Sequence, residues 1–95
     1  MGNVKLKTQV TGIDLKEVGK TIRWYRRSFN LTQRDMAELT DTSLLCINQW
    51  ERGKNKLLRV ETLVKMAQLF GVSETDLLHP SDEVKKWINM SAEEL

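Results

Sequence analysis

The segment from residue 32 to residue 53, TQRDMAELTDTSLLCINQWERG, constrains the fold of this chain more than any other. Thr32 and Ser43 are residue types whose side chains cap the first amides of a helix. Gly53 is the residue type that most commonly follows a helix end. The segment therefore predicts two short helices joined by a tight turn at Asp41-Thr42. Neither helix would be stable without packing partners.

Apolar residues at helical spacing continue on both sides of this segment. They predict a helix over residues 15–28 and another over residues 61–70. A shorter helix opens at Ser73 and ends before Pro80, because proline cannot continue a helix. A last amphipathic segment follows over residues 81–90. The chain is therefore predicted to be all-α, with five short helices packed into a compact domain.

The 95 residues suit a single domain that buries a core without disulfides or metal. We divide the chain into an N-terminal arm, residues 1–14, a helical domain, residues 15–79, and a C-terminal amphipathic segment, residues 80–95. In the arm, apolar and polar residues alternate from Val4 to Val10, which is compatible with a short strand or an extended conformation.

The sequence lacks the features of several protein classes. A single cysteine, Cys46, excludes an internal disulfide and a cysteine-cluster metal site. No apolar run approaches the ~20 residues of a membrane span and no secretion signal is evident, so we expect a cytoplasmic protein without a membrane contact. With one histidine, His79, and no nucleophile–base motif or glycine-rich phosphate loop, we expect no enzyme, no cofactor and no metal.

Positive charge is concentrated in the middle of the chain. Residues 15–79 hold eleven Lys and Arg residues against eight Asp and Glu residues, whereas residues 80–95 hold two against four. A basic patch of this kind can attract phosphates. An ordinary solvated surface has a similar composition, so charge alone leaves both interpretations open.

Several motifs from Val18 to Leu78 occur together in one order. They are Leu31-Thr32-Gln33, Met36-Ala37, Ser43 with Ile47, Trp50-Glu51-Arg52-Gly53-Lys54, residues 61–67, Gly71-Val72-Ser73 and Asp76-Leu77-Leu78. In these motifs the sequence resembles the Cro/Xre family of phage-repressor-like helix-turn-helix proteins. The resemblance implies a lambda-repressor-like fold and a sequence-specific DNA-binding transcriptional regulator. It also implies a homodimeric repressor of phage or mobile-element type, bound to a two-fold operator in double-stranded DNA.

The resemblance also implies which residues contact DNA. The helix after Ser43 would be the recognition helix, with base contacts from Leu44, Leu45, Asn48 and Gln49. Phosphate contacts would come from Thr32, Gln33, Arg34, Ser43, Arg52, Lys54, Asn55, Lys56 and Arg59. Gln33 would also support the first base-contacting side chain. Arg26 and Glu51 would form a structural ion pair between the first and third helices.

Two adjacent leucines stand where the family usually has polar side chains, and three interpretations of Leu44 and Leu45 stay open. They can press against thymine methyl groups in the major groove. They can bind a partner protein through an exposed apolar surface. Leu44 can instead tuck against the preceding helix or a neighbouring subunit.

The turn departs from the family pattern as well. The family usually has a glycine followed by a buried aliphatic residue, where this chain has Asp41 and Thr42.

The leucine pair also defines an alternative function. In this alternative the chain is a protein-interaction module, such as an antitoxin-like partner-binding protein, that keeps the helix-turn-helix as a scaffold.

For the homodimer, the candidate contacts are Val84, Trp87 and Ile88, because they share an apolar face of the last segment. The N-terminal arm is the other candidate for the dimer interface.

Overall fold

The computed structural model describes residues 13–54 and 59–94. Regular structure within these ranges consists of six helices, which are α1 Leu15–Ser28, α2 Gln33–Leu39, α3 Leu44–Glu51, α4 Val60–Phe70, α5 Glu74–Leu78 and α6 Asp82–Glu94. The all-α prediction is confirmed, because α1 to α5 are the five predicted helices and α6 is the C-terminal segment. None of these six helices is long and apolar enough to cross a membrane. Residues 1–12 of the predicted N-terminal arm lie outside the described residues.

The helices of the 32–53 segment start where the sequence places a capping side chain. Before α2, the Thr32 hydroxyl accepts a bond of 2.9 Å from the Asp35 amide. The Asp35 carboxylate in turn accepts a bond of 3.0 Å from the Thr32 amide. Hydrogen bonding from the Thr32 amide, and then from the Thr32 side chain, holds the pKa of Asp35 below its usual value. Before α3, the Ser43 hydroxyl accepts a bond of 3.0 Å from the Cys46 amide. Both caps satisfy amides that a first helical turn leaves without a partner.

Two residues in the left-handed conformation reverse the chain between α1, α2 and α3. Asn30 has a φ of 59° and Asp41 has a φ of 54°. This conformation costs Asn and Asp less than it costs most other residues, because their short polar side chains can form local hydrogen bonds. The tight turn that the sequence predicts at Asp41-Thr42 is confirmed.

The apolar core is built around α1, which contacts α3, α4, α5 and α6. The largest apolar side chains that are fully buried are Val18, Ile22, Met36, Ile47, Met66 and Leu77. They come from α1 to α5, so the short helices are held by shared tertiary contacts. Ile47 and Trp50, on the inward edge of α3, are both buried.

Helix α6 packs against α1 of the same chain. Trp87 stacks on Trp24 with ring centroids 5.9 Å apart, and Lys85 Nζ lies 3.6 Å from Glu17 Oε2. Ile88 is only 8% exposed. Ile88 thus packs within its own chain, and its predicted contact with a second copy stays a prediction. Val84 is half-buried, whereas Trp87 remains 44% exposed.

Candidate nucleic-acid interface

Helix α3 lies unusually close to α1 because Gly19 has no side chain. A Cβ atom at this position would lie 2.5 Å from the carbonyl oxygens of Trp50 and Glu51. Such a distance is well inside van der Waals contact, so no larger residue fits without a shift of one helix. This close approach fixes how near the C-terminal end of α3 lies to α1. It therefore also fixes the position of the exposed side of α3.

The inner end of α3 is tied to its neighbours by the buried carboxylate of Glu51. Arg26 donates to it through Nε and, at 3.0 Å, through Nη2. Arg26 also donates through Nη1 to the carbonyl of Leu31 at 2.8 Å. Arg23 Nε donates to Glu51 Oε1 at 3.3 Å. A carboxylate can only accept hydrogen bonds, and both arginines donate to its oxygens. They also neutralise its buried charge and thereby hold α3 against α1.

Gln33, at the start of α2, joins this network. Its Nε2 donates to Glu51 Oε1 at 3.0 Å, and its Oε1 accepts from Asn48 Nδ2 at 3.5 Å. Both ends of the Gln33 amide are therefore used inside the protein. The side chain that it supports is Asn48, on the second turn of α3. The resemblance had instead placed its support at the first base-contacting position, which is Leu44 here.

The outer face of α3 is formed by Leu44, Leu45, Asn48 and Gln49, and Asn48 joins this face to the network through Gln33. Leu44 is 41% exposed and Leu45 is 66% exposed. Gln49 is exposed, and Asn48 is half-buried because it leans on Gln33. The structure therefore brings the four predicted base-contacting residues onto one accessible side of one short helix.

The two leucines lie beside different grooves at the start of α3. One groove, of about 440 Å³, includes Leu44 with Arg34 and Ala37 of α2. The other, of about 530 Å³, includes Leu45 with Gln49 and with Arg59 and Lys65 near α4. Both grooves are open to solvent at this end of the helix. The two leucines thus form an apolar projection between these two grooves, each of which is partly lined by charged side chains.

Most of the predicted phosphate-contacting residues are accessible. Among the described residues, those that are exposed are Thr32, Arg34, Ser43, Arg52, Lys54 and Arg59. The hydroxyls of Thr32 and Ser43 accept bonds from backbone amides as caps. The Ser43 hydroxyl keeps its O–H group to donate. Asn55 and Lys56 lie outside the described residues. The described set offers four exposed cations, of which Arg34 and Arg59 line the grooves beside Leu44 and Leu45.

Sequence reasoning missed two residues of this site. Gly19 has no sequence signal of its own, since only the approach of α3 makes its missing side chain necessary. Arg23 lies one turn before Arg26 on α1, so helical spacing could have indicated that both face Glu51. The structure adds Arg23 as a third side chain that binds this carboxylate, after Arg26 and Gln33.

Comparison with known proteins agrees with this geometry. The profile of a protein family described as "Helix-turn-helix domain" matches residues 19–83. No curated protein sequence gives a significant match.

Solved structures with the same fold include three bacterial proteins. The hypothetical transcription factor NHTF from Neisseria is 25% identical, with a TM-score of 0.65 over 78% of this chain and 85% of its own. The restriction-modification controller protein C.AhdI from Aeromonas hydrophila is 23% identical, with a TM-score of 0.63 over 67% of this chain and 96% of its own. The clp gene regulator ClgR from Corynebacterium glutamicum is 24% identical, with a TM-score of 0.62 over 83% and 80%. The chain belongs to the helix-turn-helix domain family, and its resemblance to the Cro/Xre group is confirmed.

Proposed function

We propose that the chain is a sequence-specific DNA-binding transcriptional regulator that places the outer face of α3 in the major groove. The observation that carries this proposal is the division of α3 into two sides. Its inner end is fixed by Glu51, while Leu44, Leu45 and Gln49 remain accessible. Membership of the helix-turn-helix family supports the same function. So do the descriptions of its structural relatives as a controller, a gene regulator and a transcription factor.

Most of the affinity would come from the phosphate backbone. Arg34, Arg52, Lys54 and Arg59 are exposed, and Arg34 and Arg59 line the grooves beside Leu44 and Leu45. Each cation that neutralises a phosphate releases condensed counterions, so the affinity should fall steeply as salt rises. Base readout would then be left to α3, where Gln49 can offer a donor and an acceptor to adenine.

The protein would act as a homodimeric repressor of phage or mobile-element type, on a two-fold operator in the cytoplasm. Two recognition helices would enter the major groove about one DNA turn apart. Trp87 and Met90 of α6, 44% and 50% exposed, supply an apolar surface for a second copy. Repression would be steric, by competition with polymerase for the same DNA. In this proposal the protein works by binding, with no catalytic step.

The test is a titration of the full chain against labelled duplexes at low and at physiological salt. One duplex has random sequence, and the other is the DNA upstream of the protein's own gene. We expect binding to both at low salt and a preference for the upstream DNA at physiological salt. Absence of binding to either duplex at low salt would refute the proposal. A footprint on the upstream DNA then gives the operator and its symmetry.

The exposed leucine pair favours a second candidate, a protein-interaction module of antitoxin type. Leu44 and Leu45 project from the start of α3 and are 41% and 66% exposed. Adjacent exposed leucines of this kind are typical of protein contacts as well as of thymine contacts. Leu45→Ala distinguishes the candidates. A loss of preference for thymine in selected DNA sites supports readout. Unchanged DNA binding at every sequence favours the protein contact.

A further inference from the structure

Helix α1 carries a row of cations on one side of its surface. Their spacing keeps them within an arc of about 60°, at ~100° per residue, and they are Lys16, Lys20, Arg23 and Arg27. We infer that this basic stripe binds the phosphate backbone of the DNA duplex outside the base pairs that α3 reads. The inference rests on the proposed function, because it extends the same DNA contact from the helix-turn-helix onto α1.

The basic stripe is accessible, and its charge is not neutralised by neighbouring acids. Three of its members are exposed, and the fourth, Arg23, keeps 41% of its side chain exposed. Among the residues that the structure describes, the three exposed cations form no ion pair. The acidic residue of α1, Glu17, turns toward α6, where Lys85 Nζ lies 3.6 Å from its Oε2 atom. The positive charge of the stripe is therefore available to an anionic partner.

The arrangement of the stripe is unfavourable for α1 by itself. Like charges three or four residues apart on a helix repel each other and destabilise it. The stripe contains such pairs throughout, namely Lys16 with Lys20, Lys20 with Arg23, and Arg23 with Arg27. Lys16 also lies in the first turn, where the positive end of the helix dipole disfavours a cation. A bound polyanion would remove this repulsion, and the phosphate backbone of DNA is such a partner.

The stripe starts where the recognition helix ends. A Cβ atom at Gly53 would lie 2.9 Å from the Cα atom of Lys16, so the turn after α3 rests on the first turn of α1. Arg52 and Lys54, which flank this glycine, are both exposed and are both predicted phosphate contacts. Positive charge therefore extends from the end of α3 onto α1, as one surface shared by the two helices.

The position and length of the stripe fit a DNA strand beside the major groove. Arg23 Nε donates to Glu51, the last residue of α3, at 3.3 Å, so the stripe keeps a fixed distance from the recognition helix. From Lys16 to Arg27 the helix rises about 16 Å, at ~1.5 Å per residue. The phosphates of one strand follow one another every ~3.4 Å along the DNA axis, so the stripe spans about five of them. Contacts of this kind position the protein and carry no base information.

The experiment measures affinity against salt for two duplexes that contain the same binding site, selected by the full chain from a random library. The long duplex continues for about 10 base pairs, one DNA turn, on each side of the site. The short duplex ends at the outermost bases whose identity affects the affinity. Comparison of the two duplexes separates the flanking phosphates from the site itself.

The test variant replaces both Lys20 and Arg27 with alanine. Arg23 stays in place because it also binds the buried Glu51. On the long duplex, the slope of log affinity against log salt should be reduced by about 1.8, at ~0.9 for each phosphate contact. A fourfold rise in salt should then cost the wild type about 12-fold more affinity than it costs the variant. The base preferences of the variant should stay those of the wild type.

Two controls accompany this variant. On the short duplex, which lacks the flanking phosphates, the wild type and the variant should have nearly the same slope. Lys86→Ala on α6 removes the same charge as Lys20→Ala from another exposed position, and it should keep the wild-type slope on both duplexes. Urea unfolding should show the double variant to be at least as stable as the wild type, because it loses only like-charge pairs.

Three results would overturn the inference and leave the proposed function intact. The first is an unchanged slope for the double variant on the long duplex, which would mean that the stripe does not contact DNA. The second is an equal reduction of the slope by Lys86→Ala, which would indicate an effect of net charge alone. The third is the same reduction on the short duplex, which would place the stripe within the site. Absence of any binding of the wild type to duplex DNA at low salt would instead refute the proposed function itself.

Discussion

The Cβ position of Gly19 lies 2.5 Å from the carbonyl oxygen of Trp50, so α1 and α3 touch through backbone atoms at this point. In an exposed helix, replacing glycine with alanine stabilises by about 1 kcal/mol because glycine is a poor helix former. Here the added methyl group must displace one of the two helices, and overpacking of this kind costs about 1–3 kcal/mol.

We therefore expect Gly19→Ala to lower the free energy of unfolding by about 1–3 kcal/mol. The same substitution at an exposed helical glycine would raise it. Urea unfolding followed by circular dichroism measures the change. Lys20→Ala, at the next and exposed position of α1, should stay within about 0.5 kcal/mol of wild type. A more stable Gly19→Ala protein would show that α1 and α3 are not in contact here.

Arg26→Leu should destabilise the domain strongly. It removes the main partner of the buried Glu51 carboxylate, and breaking a buried pair by removing one member costs about 3–5 kcal/mol. Arg23→Ala is the matched comparison. Arg23 binds the same carboxylate but is 41% exposed, and exposed pairs contribute at most about 1 kcal/mol. Equal losses in thermal or urea unfolding for the two variants would contradict this ranking.

The capping box at Thr32 and Asp35 should make part of the stability depend on pH. Hydrogen bonds from Thr32 hold the pKa of Asp35 below its usual value, so the folded protein binds a proton at this carboxyl less readily than the unfolded chain. The contribution is therefore complete above the unfolded pKa of about 3.9 and is lost as pH falls below that value toward the folded pKa. Asp35→Asn should remove this dependence.

The measurement is the melting temperature of wild type and Asp35→Asn from pH 7 to pH 2. Wild type should melt higher at pH 7, and the difference should shrink below about pH 4. A difference that is constant across this range would mean that Asp35 ionisation does not contribute to the cap.

Gln49→Ala and Lys54→Ala should affect DNA binding in different ways. Loss of a bidentate base contact at Gln49 should cost about 1–3 kcal/mol for the selected site and relax the preference at one position. Loss of a phosphate contact at Lys54 should weaken all sequences alike and reduce the slope of log affinity against log salt by about one unit. Affinities of both variants for specific and random duplexes at several salt concentrations measure the two effects. If Gln49→Ala instead gave a uniform loss, Gln49 would not be a base reader.

Trp87→Ala should convert the proposed dimer to monomer. The ring stacks on Trp24 and is 44% exposed, so its outer side is available to a second copy while its inner side holds α6 on α1. Sedimentation of wild type and variant measures the assembly state. Lys86→Ala, at the neighbouring exposed position, should leave the dimer unchanged. A Trp87→Ala protein that remains dimeric would reject this face as the interface and leave the N-terminal arm as the candidate.

Local signals were sufficient for the helices and turns of this chain. The caps at Thr32 and Ser43 and the left-handed residues Asn30 and Asp41 act within a few residues of themselves. Their effect can therefore be predicted from residue type and spacing. The pairing of Arg26 with Glu51 was expected from the resemblance to a known family. It could not be predicted from residue spacing, because the two residues are far apart in sequence.

The sequence by itself thus determined where α1 to α5 begin and end. Only the tertiary structure decided which side chains meet across helices. It gave Gly19 its close contact with Trp50, turned Gln33 toward Glu51 and Asn48, and buried Ile88 within its own chain. The physical reason is that these contacts join residues far apart in sequence. Their geometry depends on the packing of whole helices, which no local pattern specifies.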